Sequence, residues 1–114
     1  MNIRQTTIGT TAVLSVQGVI KLRESGRVLS ERLQKILEMG EGSVLIDLSE
    51  VDEVDSTGLG ELVGHLQQFS RQGRHLAVVK PTERVRRLFE FMNLHKVLPI
   101  FDDLDHALSA VTHS

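Results

Sequence analysis

Two short apolar runs, S-V-L-I-D-L at 43–48 and H-L-A-V-V-K at 75–80, constrain this chain more than any other feature. Each follows a glycine-containing turn signal. Both are too short for helices and too continuous for strands with one wet face. Each therefore reads as a strand buried on both sides, a pattern that belongs in the middle of a mostly parallel sheet. Helices must then cover the sheet, and the flanking segments supply them. From about Glu24, Leu29, Leu33, Ile36 and Leu37 fall at helical spacing until Gly40 and Gly42. Leu59, Leu62, Val63, Leu66 and Phe69 form a second stripe that ends at Gly73. Val85, Leu88, Phe89 and Met92 form a third, with Thr82 as N-cap and Asn93 as stop, and Ala107, Leu108 and Val111 form a fourth behind Asp102 or Asp103.

The N-terminal stretch is different. Residues 3–8 and 12–19 are rich in Thr, Val and Ile, and the turn signal Gly9-Thr10 joins them as a hairpin. In the second strand Ala12, Leu14 and Val16 share one face, and Val13, Ser15 and Gln17 the other. Val97 to Phe101 reads as a short strand, with Pro99 placing it at an edge. The predicted order is β-β-α-β-α-β-α-β-α. It describes an α/β fold: a mixed, mostly parallel sheet with an N-terminal antiparallel hairpin and four helices packed on it. At 114 residues the whole chain, 1–114, is expected to be a single domain.

Composition narrows the function. The net charge of −2 gives no reason to expect nucleic acid or an anionic membrane surface as a partner. Absence of cysteine excludes disulfides, thiol catalysis and thiolate metal sites. The chain has no apolar run of the roughly 20 residues that span a bilayer, and its N-terminus lacks a signal peptide's apolar core, so the expectation is a cytoplasmic protein. The five histidines, His65, His75, His95, His106 and His113, show no ligand spacing. Arg84, Arg86 and Arg87 beside Lys80 form a basic cluster, read first as a solvated helix start and second as a docking patch.

The segment V-D-E-V-D-S-T-G-L-G, 51–60, carries the chemistry. Residues 49–55 read as the connection after the central strand, and Ser56 as the N-cap of the next helix, accepting from the amide of Gly58 or Leu59. Gly58 and Gly60 are poor helix formers, each costing up to about 1 kcal/mol against Ala. Glycines at such positions let another backbone or a bulky group come close, and the end of a βα unit is where α/β proteins place their sites. On these residues alone a simple cap and a functional serine both stand. Enzyme readings fail. The D-[ST]-G loop of aspartic proteases has no residue between hydroxyl and glycine, whereas Thr57 intervenes here, and the serine-hydrolase pattern G-x-S-x-G lacks its first glycine.

The string D-S-T-G-L-G, 55–60, resembles the central block of the STAS family, which includes bacterial anti-sigma-factor antagonists and the cytoplasmic domains of sulfate transporters. The likeness extends through V-L-I-D-L-S-E-V-D-E-V-D-S-T-G-L-G-E-L-V, R-Q-G-R-H-L-A-V-V and V-R-R-L-F-E-F-M-N-L-H-K-V-L-P-I-F-D-D-L-D-H-A-L, nearly the whole chain. It implies a non-enzymatic antagonist in a partner-switching network that regulates transcription. Ser56 would be the phosphoacceptor and Thr57 a minor one. Asp55, Ser56, Thr57, Gly58, Leu59, Gly60 and Lys21 would form the partner surface. The implied partners are an anti-sigma factor that is also a serine kinase of histidine-kinase-like ATPase fold, and a serine phosphatase. ATP and Mg belong to that kinase, so no cofactor or metal is expected here, and the chain is expected to be a monomer. Lys21, in G-V-I-K-L, stands where many antagonists carry an acidic loop residue. The alternative implied by the family is a STAS subunit of a lipid-transport ABC complex or a stressosome-like scaffold, with the same surface and no obligatory phosphorylation.

Overall fold

The computed structural model describes residues 2–20 and 25–112. Strands β1 (Asn2–Ile8) and β2 (Thr11–Ile20) form the antiparallel hairpin, with Gly9 at φ 63° in its turn. Helix α1 (Ser25–Met39) leads to β3 (Val44–Val54), α2 (Ser56–Arg71), β4 (Leu76–Val79) and α3 (Glu83–Phe91). A 3-10 turn at Leu94–Lys96, the two-residue strand β5 (Ile100–Phe101) and α4 (Leu104–Thr112) complete the chain. The sheet order is β1-β2-β3-β4-β5, with β2 to β5 parallel, which is the predicted mixed sheet with four helices. Gly73 (φ 70°) follows α2 and Asn93 (φ 57°) follows α3, both in the left-handed conformation that ends a helix.

The central strands are buried on both faces, as their composition requires. Val44, Ile46 and Leu48 point to one side with Leu76 and Val78, where α1, α2 and α3 pack through Leu29, Leu33, Leu59, Leu62, Phe69, Val85 and Phe89. Leu45, Ala77 and Val79 point to the other, where α4 covers them with Ala107. Ala12, Leu14 and Val16 of β2 join the three-helix side and Val13 the α4 side, matching the predicted alternation.

Two sequence expectations fail on strand lengths. Residues 49–55 are not a loop, because β3 runs on to Val54. Its pairing with β2 slips twice: Ser15 opposes Asp47 but Gln17 opposes Glu50, and Gly18 opposes Val51 but Val19 opposes Glu53. Each slip adds one residue to β3, so Leu48, Val51 and Val54, three apart, all face the same core. A period-2 search misses this spacing. Gly18, at φ 109°, sits at the second slip in a conformation that disfavours any side chain. At the other end, residues 97–99 are not strand. A turn that follows the 3-10 helix occupies that segment, and only Ile100 and Phe101 pair with β4. The edge position predicted from Pro99 is correct. Of the two candidate caps for α4, Asp103 accepts from the His106 amide at 2.8 Å.

One buried cation ties the layers together. Arg74, 7% exposed, lies at the entry to β4. Its guanidinium donates to the carbonyls of Ile36 and Leu37, in the last turn of α1, and to Gln72 Oε1, while its Nε donates to the Gly42 carbonyl at 2.7 Å. Its planar group stacks 4.7 Å from the Phe69 ring centroid. The Ile36 carbonyl also accepts from the Gly40 amide at 2.9 Å, so the guanidinium supplements the closing bond of the helix and adds a donor for Leu37. Between α1 and α2, Ser30 Oγ and His65 Nε2 lie 2.7 Å apart. Burial holds the His65 pKa below its ordinary value, against the opposing pull of Glu61 and Gln68.

Arg74→Leu removes the donors to the Ile36, Leu37 and Gly42 carbonyls. Urea denaturation should show a loss of about 3 kcal/mol. A loss under about 1 kcal/mol would mean that water replaces the guanidinium.

Candidate functional site

The extension of β3 decides how α2 begins. Val54, 4% exposed, is anchored in the core, so Asp55 emerges at a fixed position with extended backbone (φ −88°, ψ 164°). Asp55, not Ser56, is the N-cap. Its Oδ1 accepts from the Gly58 amide at 2.7 Å, and its carbonyl accepts the first helical bond, from Leu59, at 3.1 Å. The expected serine cap is thereby corrected. The physical reason is register: once the strand reaches Val54, the last non-helical residue is the aspartate, and its carboxylate spans three residues to the Gly58 amide.

The consequence is chemical. Ser56 becomes the first helical residue, exposed, and its hydroxyl bonds to none of the described residues. Thr57 beside it is exposed as well. Their backbone amides, in the first turn and beyond the reach of intrahelical acceptors, lie at the positive end of the helix dipole, and the first turn contains no acidic side chain. Asp52 and Glu53, exposed at the end of β3, set negative charge on the approach.

The rest of the D-S-T-G-L-G string divides in two. Gly58 is buried, and Leu59, fully buried, belongs to the core under α2. Gly60 is exposed, and a methyl group placed on it would meet nothing within 4 Å. Ser56, Thr57 and Gly60 therefore form the accessible surface of the motif, Asp55 is half-buried, and Gly58 and Leu59 support it from below. Lys21 lies outside the described residues.

Of the basic cluster, Arg86 pairs with Asp102, Arg87 with Glu83 and Lys80 with Asp47. Arg84 alone among them has no ionic partner within the described residues. Most of that charge is matched within the molecule, and sequence spacing does not reveal it because Asp47 and Asp102 are distant along the chain. Among the described residues there is no cluster of His, Asp and Glu that could hold a metal ion, and no helix long and apolar enough to cross a membrane.

Comparison with known proteins gives a consistent result. The STAS domain family matches residues 2–107. The anti-sigma-B factor antagonist of Bacillus subtilis is 37% identical over 76 residues, 67% of this chain and 69% of that protein. An anti-sigma factor antagonist from Mycobacterium paratuberculosis has a similar structure, with a TM-score of 0.85 at 25% identity over 97% of this chain and 93% of its own. The anti-sigma factor antagonist SpoIIAA of Bacillus shares the fold at 14% identity, with TM-scores of 0.74 for its unphosphorylated form (99% of this chain, 100% of that one) and 0.72 for its phosphorylated form (96% and 99%).

Two stability measurements test this geometry. Asp55→Ala should cost about 1 kcal/mol through loss of the cap, while Ser56→Ala should stay within about 0.5 kcal/mol. The reverse order would restore Ser56 as the cap. Gly60→Ala should raise stability by up to about 1 kcal/mol, since the helix gains propensity and the methyl meets no neighbour. A destabilised variant would reveal a contact at Gly60.

Proposed function

The chain belongs to the STAS domain family, and on that premise we propose that it is an anti-sigma-factor antagonist switched off by phosphorylation of Ser56. The observation that carries this reading is the division of labour at α2: Asp55 does the capping, which leaves the neighbouring hydroxyl exposed and unengaged. A serine needed as the cap would have to give up a structural bond to accept a phosphate. Here the modification costs the fold no such bond. Relatives named as anti-sigma factor antagonists, and the existence of SpoIIAA in phosphorylated and unphosphorylated forms, support the same direction.

The physical effect is one of charge on a stationary surface. A phosphoryl group adds about −1.5 to −2 charges. First-turn amides and the helix dipole favour it, while Asp52, Glu53 and the Asp55 carboxylate oppose it, screened by solvent. With these influences in opposition, α2 keeps its place. The partner surface bears the change, since burying a dianion without a matching cation costs several kcal/mol. About 4 kcal/mol corresponds to a thousandfold loss of affinity.

In this reading the kinase is the anti-sigma factor itself, with ATP and Mg bound on its side, and a serine phosphatase restores the hydroxyl. Thr57, exposed beside Ser56, is the secondary acceptor. Gly60, without a side chain, lets the kinase backbone approach α2.

The decisive experiment incubates the protein with its histidine-kinase-like ATPase and ATP, maps the modified residue by mass spectrometry, and measures binding before and after. Phosphate is expected on Ser56, with affinity reduced at least a hundredfold. Ser56→Asp should bind as weakly as the phosphorylated protein, and Ser56→Ala should bind well and incorporate no phosphate. Full binding that survives stoichiometric Ser56 phosphorylation would overturn the switch, and modification by none of the organism's kinases of this class would favour a scaffold role.

A further inference from the structure

At the side of the sheet farthest from β5, three features meet that the Ser56 switch does not use. The first is an open sheet edge. Among the described residues β1 pairs only with β2, and the strand is seven residues long and exposed along nearly its whole length. The opposite edge is protected in the usual ways: β5 has two residues and follows Pro99. β1 has neither Pro nor Lys, and its only charge is Arg4.

The second feature is the flank of α1 beside that edge. Val28, Arg32, Lys35 and Met39 recur at i, i+4, i+7 and i+11 and so share one side of the helix. Val28 is 47% and Met39 78% exposed. Arg32 reaches across and donates to Gln5 Oε1 of β1 at 3.2 Å.

The third is a groove of about 360 Å³ between the two elements, lined by Gln5, Thr7, Arg32, Lys35, Ile36 and Met39 among others, none of them acidic. Neither Arg32 nor Lys35 has an ion pair within the described residues. Glu38, on the same helix, is engaged by Gln34 at 3.0 Å. Two cations thus stand over an apolar floor beside an open strand.

These features select among occupants. A second copy pairing β1 with β1 about a two-fold axis would continue the sheet and set the two α1 flanks side by side. Arg32 and Lys35 of both copies would then be brought together, while the exposed Glu31 and Glu38 lie farther round α1 from that side. An extended acidic segment meets no such repulsion. We propose that β1 is a docking edge for an extended acidic segment of another protein, which adds to the sheet as a sixth strand. Its helix-side positions place carboxylates toward Arg32 and Lys35 and an apolar side chain toward Ile36 and Met39. Main-chain bonds to β1 supply affinity, and the groove supplies specificity. The surface lies two strands away from β3, which leads into Ser56.

The test is a selection of dodecamers from a random peptide library against the full chain, followed by hydrogen exchange. Selected peptides should be acidic and extended, and should slow exchange of alternate β1 amides. Arg32→Glu combined with Lys35→Glu should weaken binding at least tenfold and favour lysine-substituted versions of the same peptides. If that pair disturbs the circular dichroism spectrum, Arg32→Gln with Lys35→Gln should weaken binding without inverting the preference. Selected peptides without acidic enrichment, protection elsewhere, or no peptide held at millimolar concentration would each overturn the proposal. So would sedimentation showing a dimer that protects the same β1 amides, since the occupant would then be a second copy.

Discussion

The packing of β3 against the three-helix layer is the constraint on which the rest of the molecule depends. Leu48, Val51 and Val54 must all reach one core, although two polar residues separate each from the next. Two extra residues absorbed against β2 solve this problem, and they carry the strand to its last buried residue, Val54, immediately before the helix. If β3 ended at Leu48, the acidic residues that follow would form a loop and the start of α2 would have no fixed origin. The bulges instead hold Asp55 rigidly enough to cap the helix with its own side chain. A structural solution to a packing problem thus sets the geometry of the site.

That geometry explains how a single hydroxyl is made available without weakening the fold. Capping and signalling want the same kind of residue at the same place, a short polar side chain at a helix start. The chain separates the two demands into adjacent residues. The aspartate satisfies the amide, and the serine one position later faces solvent. Leu59 and Val54 below them are fixed in the core, so the exposed surface of Ser56, Thr57 and Gly60 rests on a rigid base. The switch we propose, which acts by charge rather than by refolding, requires such a base.

The two faces and two edges of the sheet are unequal. Three helices bury one face, α4 alone covers part of the other, and Arg74 locks the end of α1 to the entry of β4. One edge is shortened and guarded by proline, while the other is long and bordered by Arg32 and Lys35, which have no ion pair among the described residues. The unevenness leaves two separate regions that we propose for protein contact: the α2 start and the β1 edge.

Much of this architecture was legible in the residues themselves. Continuous apolar runs demand burial on both faces, helical stripes demand a surface to cover, and Gly9, Gly73 and Asn93 sit where the backbone must turn left-handed. From those local rules the element order, the mixed sheet and the Thr82 cap all followed. What local rules could not supply was anything set by a partner distant in the chain. The three-residue spacing of Leu48, Val51 and Val54 makes sense only against the register of β2. The identity of the cap depended on where that strand stopped. Whether Leu59 or Gly60 is accessible, that Asp102 matches Arg86, and that Arg32 stands beside Gln5 were all decided by tertiary contacts. Periodicity is a property of neighbours in sequence; register, burial and ion pairing are properties of neighbours in space.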